Sequence, residues 1–253
     1  YKRQEDMLKD THGKNANIAC IGPSGEQMSL LACIINDKGR AAARSGLGAV
    51  MGAKKLKALA VNGNMKVPMA DEEKAREQRR KWITQGKSMF ETFRDYGTCG
   101  ITEASALSGD SPVKNWTGAG YTDFFSNASH ISDNAVIAEQ ERKYGCWHCP
   151  ISCGGHMKAR PGRARVCHKP EYETLCMAGT LCLNDDLESI IRFNDICNAC
   201  GLDTISVGST IAFAIECYEN GLISKKDTDN VELTWGNTKS IVEMTEKIAK
   251  REG

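Results

Sequence analysis

The first 64 positions alternate short apolar and polar runs. Residues 1–10, YKRQEDMLKD, look like the tail of a helix, followed by a turn at THGKNAN and a short apolar strand, IACIG. Two further β-type runs, LLACII at 30–35 and ALAV at 58–61, flank a glycine-dense loop with Gly46, Gly48 and Gly52. The character changes near residue 65. Residues 71–96 read as one helix opened by acidic residues, and its dense charges are those of a solvated face. Residues 98–132, rich in Gly, Ser, Asn and Thr, predict a long irregular loop of the kind that covers a site. The later part reads as helices over EYETLCMAGTLCL, DDLESIIRFNDICNAC and TISVGSTIAFAIECYEN, with a fourth starting at SIVEMTEKIAK. In the second of these, Leu187, Ile190, Ile191 and Cys197 share one face. The expected class is α+β but mainly α, with a β-rich portion at 1–64 and a helical domain at 65–253.

Charge adds little. Lys and Arg total 33 against 32 Asp and Glu, a net charge of +1, so no electrostatic footprint points to nucleic acid or an anionic membrane. No apolar run approaches the ~18 residues of a membrane span, and the chain is expected to be soluble. It starts without Met or a targeting pattern and stops inside a helical rhythm, which predicts a fragment of a longer protein. Twelve cysteines, scattered apart from one tight group, fit a reducing compartment better than a disulfide framework. The cytoplasm of an anaerobe is the expected setting.

The tight group is CWHCPISCGG, where Cys146, Cys149 and Cys153 are spaced C-x2-C-x3-C. Pro150 restrains the chain so that three thiolates can converge. Ferredoxin-type clusters use such spacings and take a last ligand from a distant cysteine. Structural zinc is the rival, completed locally by His148, His156 or Cys167. RSGLGAVMGAKK, at 44–55, matches neither standard phosphate motif; its glycines, with Arg44, Lys54 and Lys55 beside them, could bind a phosphorylated cofactor or form a plain turn. In NACGLDTIS, Gly201 falls at a helix end and Asp203 at the N-cap of the next. The Asp203 carboxylate could also accept hydrogen bonds from a heterocycle. Glu171 and Glu173 in KPEYETLC suit the start of a helix, or could move protons beside a redox centre. Cys176, Cys182, Cys197, Cys200 and Cys217 sit on helical patterns as small apolar residues.

Five motifs in this order, IGPSGE, INDKGRAAARSGLGAVMGAKKLKALAV, CWHCPISC, KPEYETL and CGLDTISVG, resemble the aldehyde:ferredoxin oxidoreductase family of tungsten-pterin enzymes. The resemblance implies the end of a β-rich pterin-binding domain followed by a helical domain. It implies phosphate and magnesium contacts at Arg44, Ser45, Gly46, Leu47 and Ala49. It implies pterin contacts at Asn198, Leu202 and Asp203, with Asn198 standing where the family motif has an acid. Cys146, Cys149 and Cys153 would be three ligands of a [4Fe-4S] cluster, the fourth being a cysteine beyond Gly253. Glu171 would be a proton-handling carboxylate near the metal, its partner histidine also beyond Gly253.

The implied cofactors are that cluster, a tungsten or molybdenum bis-pterin, and magnesium bridging the pterin phosphates. The implied reaction is oxidation of an aldehyde to a carboxylic acid, with electrons leaving through the cluster to ferredoxin or to electron-transfer subunits; a homo-oligomer is compatible with it. A branch of the same superfamily, the catalytic subunit of tungsten-dependent benzoyl-coenzyme A reductases, would instead take an aromatic thioester. Cys176 and Cys182 are the residues to examine there as tungsten ligands. The alternative of another class is a zinc-stabilised, non-catalytic helical module.

Overall fold

The computed structural model describes residues 2–36, 39–88, 90–161, 163 and 167–252. Helix α1 (Lys2–His12) leads into β1 (Asn17–Ile21), a short helix α2 (Pro23–Glu26), β2 (Ile34–Asn36), β3 (Arg40–Ala42), α3 (Leu47–Ala53) and β4 (Ala58–Val61). The four strands form an antiparallel sheet in the order β3-β2-β1-β4, with Cys20 opposite both Ile35 and Ala58. Alternation turns Ile18 and Cys20 inward, where they pack with Ala16, Cys33 and Ile35 in a small core of their own.

Residues 62–71 run extended and exposed. The single helix expected over 71–96 is two, α4 (Glu72–Gly86) and α5 (Glu91–Asp95). Asp71 caps the first through Lys74 N at 2.9 Å. At the break the Phe90 ring folds over Gly86, 2.3 Å from where a Cβ would stand, so this packing needs glycine at 86.

The expected loop over 98–132 is instead a series of short turns and helices: 3-10 turns at Thr98–Ile101, Lys114–Trp116 and Ala128–Ile131, with α6 (Thr102–Ser108) and α7 (Gly120–Asp123). Cys99, Ala106, Val113, Phe124, Ala128 and Ile131 are all buried in the main core. Widely spaced apolar residues in a polar background therefore make this stretch a wall of the core.

After α8 (Asp133–Ala138) comes an antiparallel hairpin of β5 (Gln140–Tyr144) and β6 (Gly154–Met157), and residues 145–153, with all three clustered cysteines, connect its strands. The remaining helices are α9 (Tyr172–Ala178), α10 (Leu187–Cys200), α11 (Thr204–Glu219) and α12 (Thr238–Lys250). The helix expected through residue 183 ends early, because Gly179 leaves the helical region (φ −102°, ψ −97°) before a 3-10 turn at Thr180–Cys182. The apolar faces of α9 to α12 meet in one core around Leu175, Ile190, Phe193, Ile211, Ile215 and Ile241. Among the described residues no helix is long and apolar enough to cross a membrane.

The turn between α10 and α11 locks the sheet portion to the helices. Cys33 N donates to Gly201 O at 2.8 Å and Asp203 N to Leu31 O at 2.9 Å, with Ala32 bridged to Leu202. Gly201 ends α10 in the left-handed conformation (φ 75°).

Candidate functional site

A cavity of about 300 Å³ lies where the β2–β3 turn, the start of α9 and the α10–α11 corner meet. Five of the residues singled out in the sequence line it together: Glu171, Glu173, Asn198, Leu202 and Asp203. Glu171 is 27 to 32 positions from Asn198, Leu202 and Asp203, and they are joined because Glu171 precedes α9 and Asp203 caps α11 while both helices share one core. Asp203 is 2% exposed and accepts from Ile205 N and Ser206 N, both at 3.2 Å, and from Ser206 Oγ at 2.5 Å. It is thus both the cap and a carboxylate on the wall of the cavity. Asn198 donates Nδ2 to Asn194 Oδ1 at 3.1 Å, and Asn194 in turn donates to His168 O at 3.0 Å.

The glycine loop runs along the rim. Ser45 (φ 75°) and Gly46 (φ 66°) take successive left-handed conformations before α3 begins at Leu47. Arg44 Nε lies 3.7 Å from Asp203 Oδ2, the contact that ties this loop to the cavity. Arg44, Ser45 and Leu47 are exposed and Gly46 and Ala49 half-buried. Ser45, Gly46, Leu47 and Ala49 stand outside the cavity lining, which on this side consists of Gly39, Arg40, Ala41 and Ala43.

Arg40 is the centre of this side. Its Nη1 donates to Glu171 Oε1 and its Nη2 to Cys153 Sγ at 3.4 Å. Thr98 Oγ1 donates to the other Glu171 oxygen at 2.5 Å and accepts from Tyr172 N at 2.9 Å. The guanidinium also sits over the Tyr144 ring, 5.4 Å from its centroid. Burial works against the charge on Arg40, but Tyr144, Glu171, Cys153 and Cys146 outweigh it and hold the group protonated above its ordinary range. Lys169 beside it is 4% exposed and donates to Tyr96 O. Burial lowers its pKa, against the pull of Cys99, Glu171 and Cys153. Arg40 and Lys169 lie inside the quoted motifs but, like Thr98 and Tyr144, are not among the residues that the sequence assigns to the site, since Arg40 and Glu171 are 131 positions apart and no local spacing links them. Glu173 lines the same cavity and is exposed.

The cysteine loop adjoins this network through Cys153. Cys149 N donates to Cys146 O at 3.1 Å, and His148 (φ 55°) and Ser152 (φ 54°) turn the chain back on itself. Gly145 allows the closure, because a Cβ there would stand 2.4 Å from Ser152 Oγ. Among the described residues no three His, Cys, Asp or Glu side chains converge closely enough to hold a metal ion. The local completions considered for zinc are turned elsewhere: the His148 ring packs against exposed Trp147 at 4.0 Å, His156 is buried against Tyr144 and His168, and Cys167 belongs to the main core. Of the three thiols on this loop, Cys153 accepts from Arg40 Nη2 at 3.4 Å.

Cys176 and Cys182 do not reach the cavity. Cys176 is 2% exposed, with Sγ 3.6 Å from Ser111 Oγ, and Cys182 is fully buried, with Sγ 3.4 Å from Met177 O. Burial pushes the Cys182 thiol up to about 12. Both are core residues, so their sequence-based candidacy as tungsten ligands is withdrawn.

Residues 1–63 match the family model described as the N-terminal domain of aldehyde ferredoxin oxidoreductase, and residues 74–253 match the model for its domains 2 and 3. The chain is 39% identical over 253 residues to the tungsten-containing aldehyde ferredoxin oxidoreductase of Pyrococcus furiosus, covering 98% of this chain and 41% of that protein. It is 29% identical over 255 residues to the aliphatic sulfonate oxidoreductase, WOR-like subunit, of the same organism, covering 99% of this chain and 40% of that protein. The chain thus spans about two fifths of the length of these curated relatives. Its fold is similar to a chain of the active-site complex BamBC of benzoyl coenzyme A reductase, with a TM-score of 0.81 at 21% identity, over 100% of this chain and 39% of that one.

Proposed function

The chain belongs to the aldehyde ferredoxin oxidoreductase family, and on that premise we propose that the protein oxidises aldehydes to carboxylic acids at a tungsten or molybdenum bis-pterin cofactor. Electrons leave through a [4Fe-4S] cluster to ferredoxin. In this reading residues 1–64 close a β-rich cofactor domain and 65–253 form a helical domain. The observation that carries it is one cavity lined by Asn198, Leu202 and Asp203 together with Glu171 and Arg40, whose guanidinium also reaches Cys153.

The residues fit the groups they would hold. Asp203, Asn198 and Leu202 offer acceptors, an amide and an apolar contact to a pterin heterocycle. Arg44, with the backbone at Ser45, Gly46, Leu47 and Ala49, suits phosphates and a bridging magnesium. Cys146, Cys149 and Cys153 would hold the cluster. The bound cofactor supplies the two-electron chemistry, which no side chain here can perform. The protein's own part is positional: Arg40 and Thr98 fix both oxygens of Glu171, which presents a held carboxylate to the cavity for a proton. Glu173 offers a second, unrestrained carboxylate. Twelve free cysteines suit a reducing cytoplasm.

The test is anaerobic purification of the holoprotein with metal analysis and a paired assay, aldehyde oxidation with a viologen dye against reduction of an aromatic thioester. About four irons per chain with tungsten or molybdenum and dye reduction by aldehyde is the expected result. Zinc alone would overturn the reading, and activity on the thioester only would move the protein to the benzoyl-coenzyme A reductase branch. Comparing Glu171→Gln with Glu173→Gln then separates the held carboxylate from the unrestrained one as the proton-handling group.

A further inference from the structure

We infer that Arg40 is a positioning residue that sets the reduction potential of the cluster and, with the same guanidinium, the placement of the Glu171 carboxylate. The inference rests on the reading of Cys153 as a cluster ligand. One nitrogen of the fork donates to Cys153 Sγ at 3.4 Å and the other to Glu171 Oε1, so the loop that would carry the cluster and the cavity that would carry the substrate share one rigid, charged group.

The surroundings are built for this placement. The Arg40 side chain is 21% exposed and lies over Tyr144, whose hydroxyl is 3.1 Å from His168 Nδ1. Gly39, at φ 135°, brings the β2–β3 turn so close that a Cβ would stand 2.5 Å from the His168 ring. Gly154, directly after Cys153, leaves room for the guanidinium; a Cβ there would stand 2.7 Å from Arg40 Nη2. Glycine at 154 thus lets Arg40 reach the preceding sulfur.

A guanidinium can do this and an ammonium cannot, because only the planar fork offers two donors in fixed directions to two acceptors. Reducing an iron-sulfur cluster adds negative charge, and hydrogen bonds to its sulfurs together with net charge set its potential. A cationic donor on one ligand sulfur stabilises the reduced form and raises the potential. Removing it must lower the potential.

The experiment is a redox titration of the cluster in the anaerobic holoprotein, followed by electron paramagnetic resonance, on wild type, Arg40→Gln and Arg40→Lys. Arg40→Gln is expected to shift the potential downward by about 59 mV, the equivalent of a tenfold change in a one-electron equilibrium. Arg40→Lys keeps the charge but loses the fork and is expected to fall between the two. Should Arg40→Gln fail to assemble, Arg40→Lys and Gly154→Ala decide, the latter expected to lower the potential by displacing Nη2 while the charge stays. A wild-type protein without iron would overturn the cluster reading itself. Iron at wild-type level with an unchanged potential in the variants would overturn the role of Arg40 and leave the cluster standing.

Discussion

The Cys33 amide donates to the Gly201 carbonyl at 2.8 Å, one of the backbone bonds that join the sheet portion to the corner of the helices. Around it the two backbones touch with no side chain between them: a Cβ on Gly22 would stand 2.0 Å from Cys200 O. The cavity exists because this seam holds its two walls at a fixed separation.

Gly22→Ala therefore destabilises the fold as a whole, since the clash is with backbone that cannot step aside. Overpacking of this kind costs about 1–3 kcal/mol. A lowered denaturant midpoint with an unchanged slope is the expected signature, and an unaltered midpoint would show that the seam is not tight.

At Asp203 the cap and the proposed pterin contact can be separated. Asp203→Ala removes the acceptor for Ile205 N and Ser206 N and should cost about 1 kcal/mol. Asp203→Asn keeps a capping oxygen but removes the charge that faces Arg44. The Asn variant should hold near wild-type stability while retaining less pterin, as read by tungsten and pterin content of the purified holoprotein.

Stability should fall in alkali from an unusual source. Burial, with Asp203 nearby, raises the Cys33 thiol from its ordinary 9.0 to about 12, and burial does the same to Cys182. The folded state keeps protons that the unfolded chain gives up above pH 9, so stability is lost as pH rises from there toward 12. By pH 10 each such thiol removes about 1.4 kcal/mol. Lys169 acts in the opposite sense, because burial lowers its pKa and its penalty is relieved as pH rises toward 10.5. Urea unfolding at pH 8 and 10 should show the net loss, with a shallower pH slope in Cys33→Ala.

Neither Cys176→Ser nor Cys182→Ser should alter the metal content or spectroscopic signature of the holoprotein, because both thiols lie in the core away from the cavity. Cys182→Ser should lose about 1 kcal/mol, because burying a more polar hydroxyl costs more than burying a thiol while Met177 O stays within its reach. A changed metal signature in either variant would return that sulfur to the site.

Much of the fold was legible. The strands over IACIG and ALAV, the caps at Asp71 and Asp203, and the glycine that ends α10 all follow from local rules, because hydrogen bonds within a few residues decide them. The short helices over residues 98–132 and the β5–β6 hairpin were not legible. Their polar sequences hide single apolar anchors such as Phe124 and Ile131, and β6 reads simply as GGHM, so burial against distant helices decides them. The site divides the same way. The cysteine spacing, the glycine loop and the Gly201–Asp203 corner can be read from the chain alone, since each is a contiguous motif whose chemistry is local. Long-range packing is what joins Arg40 to Cys153 and Glu171 across 113 and 131 positions and buries Cys176 and Cys182 in the core. A side chain's partner is set by which surfaces pack together, and packing is a property of the whole chain.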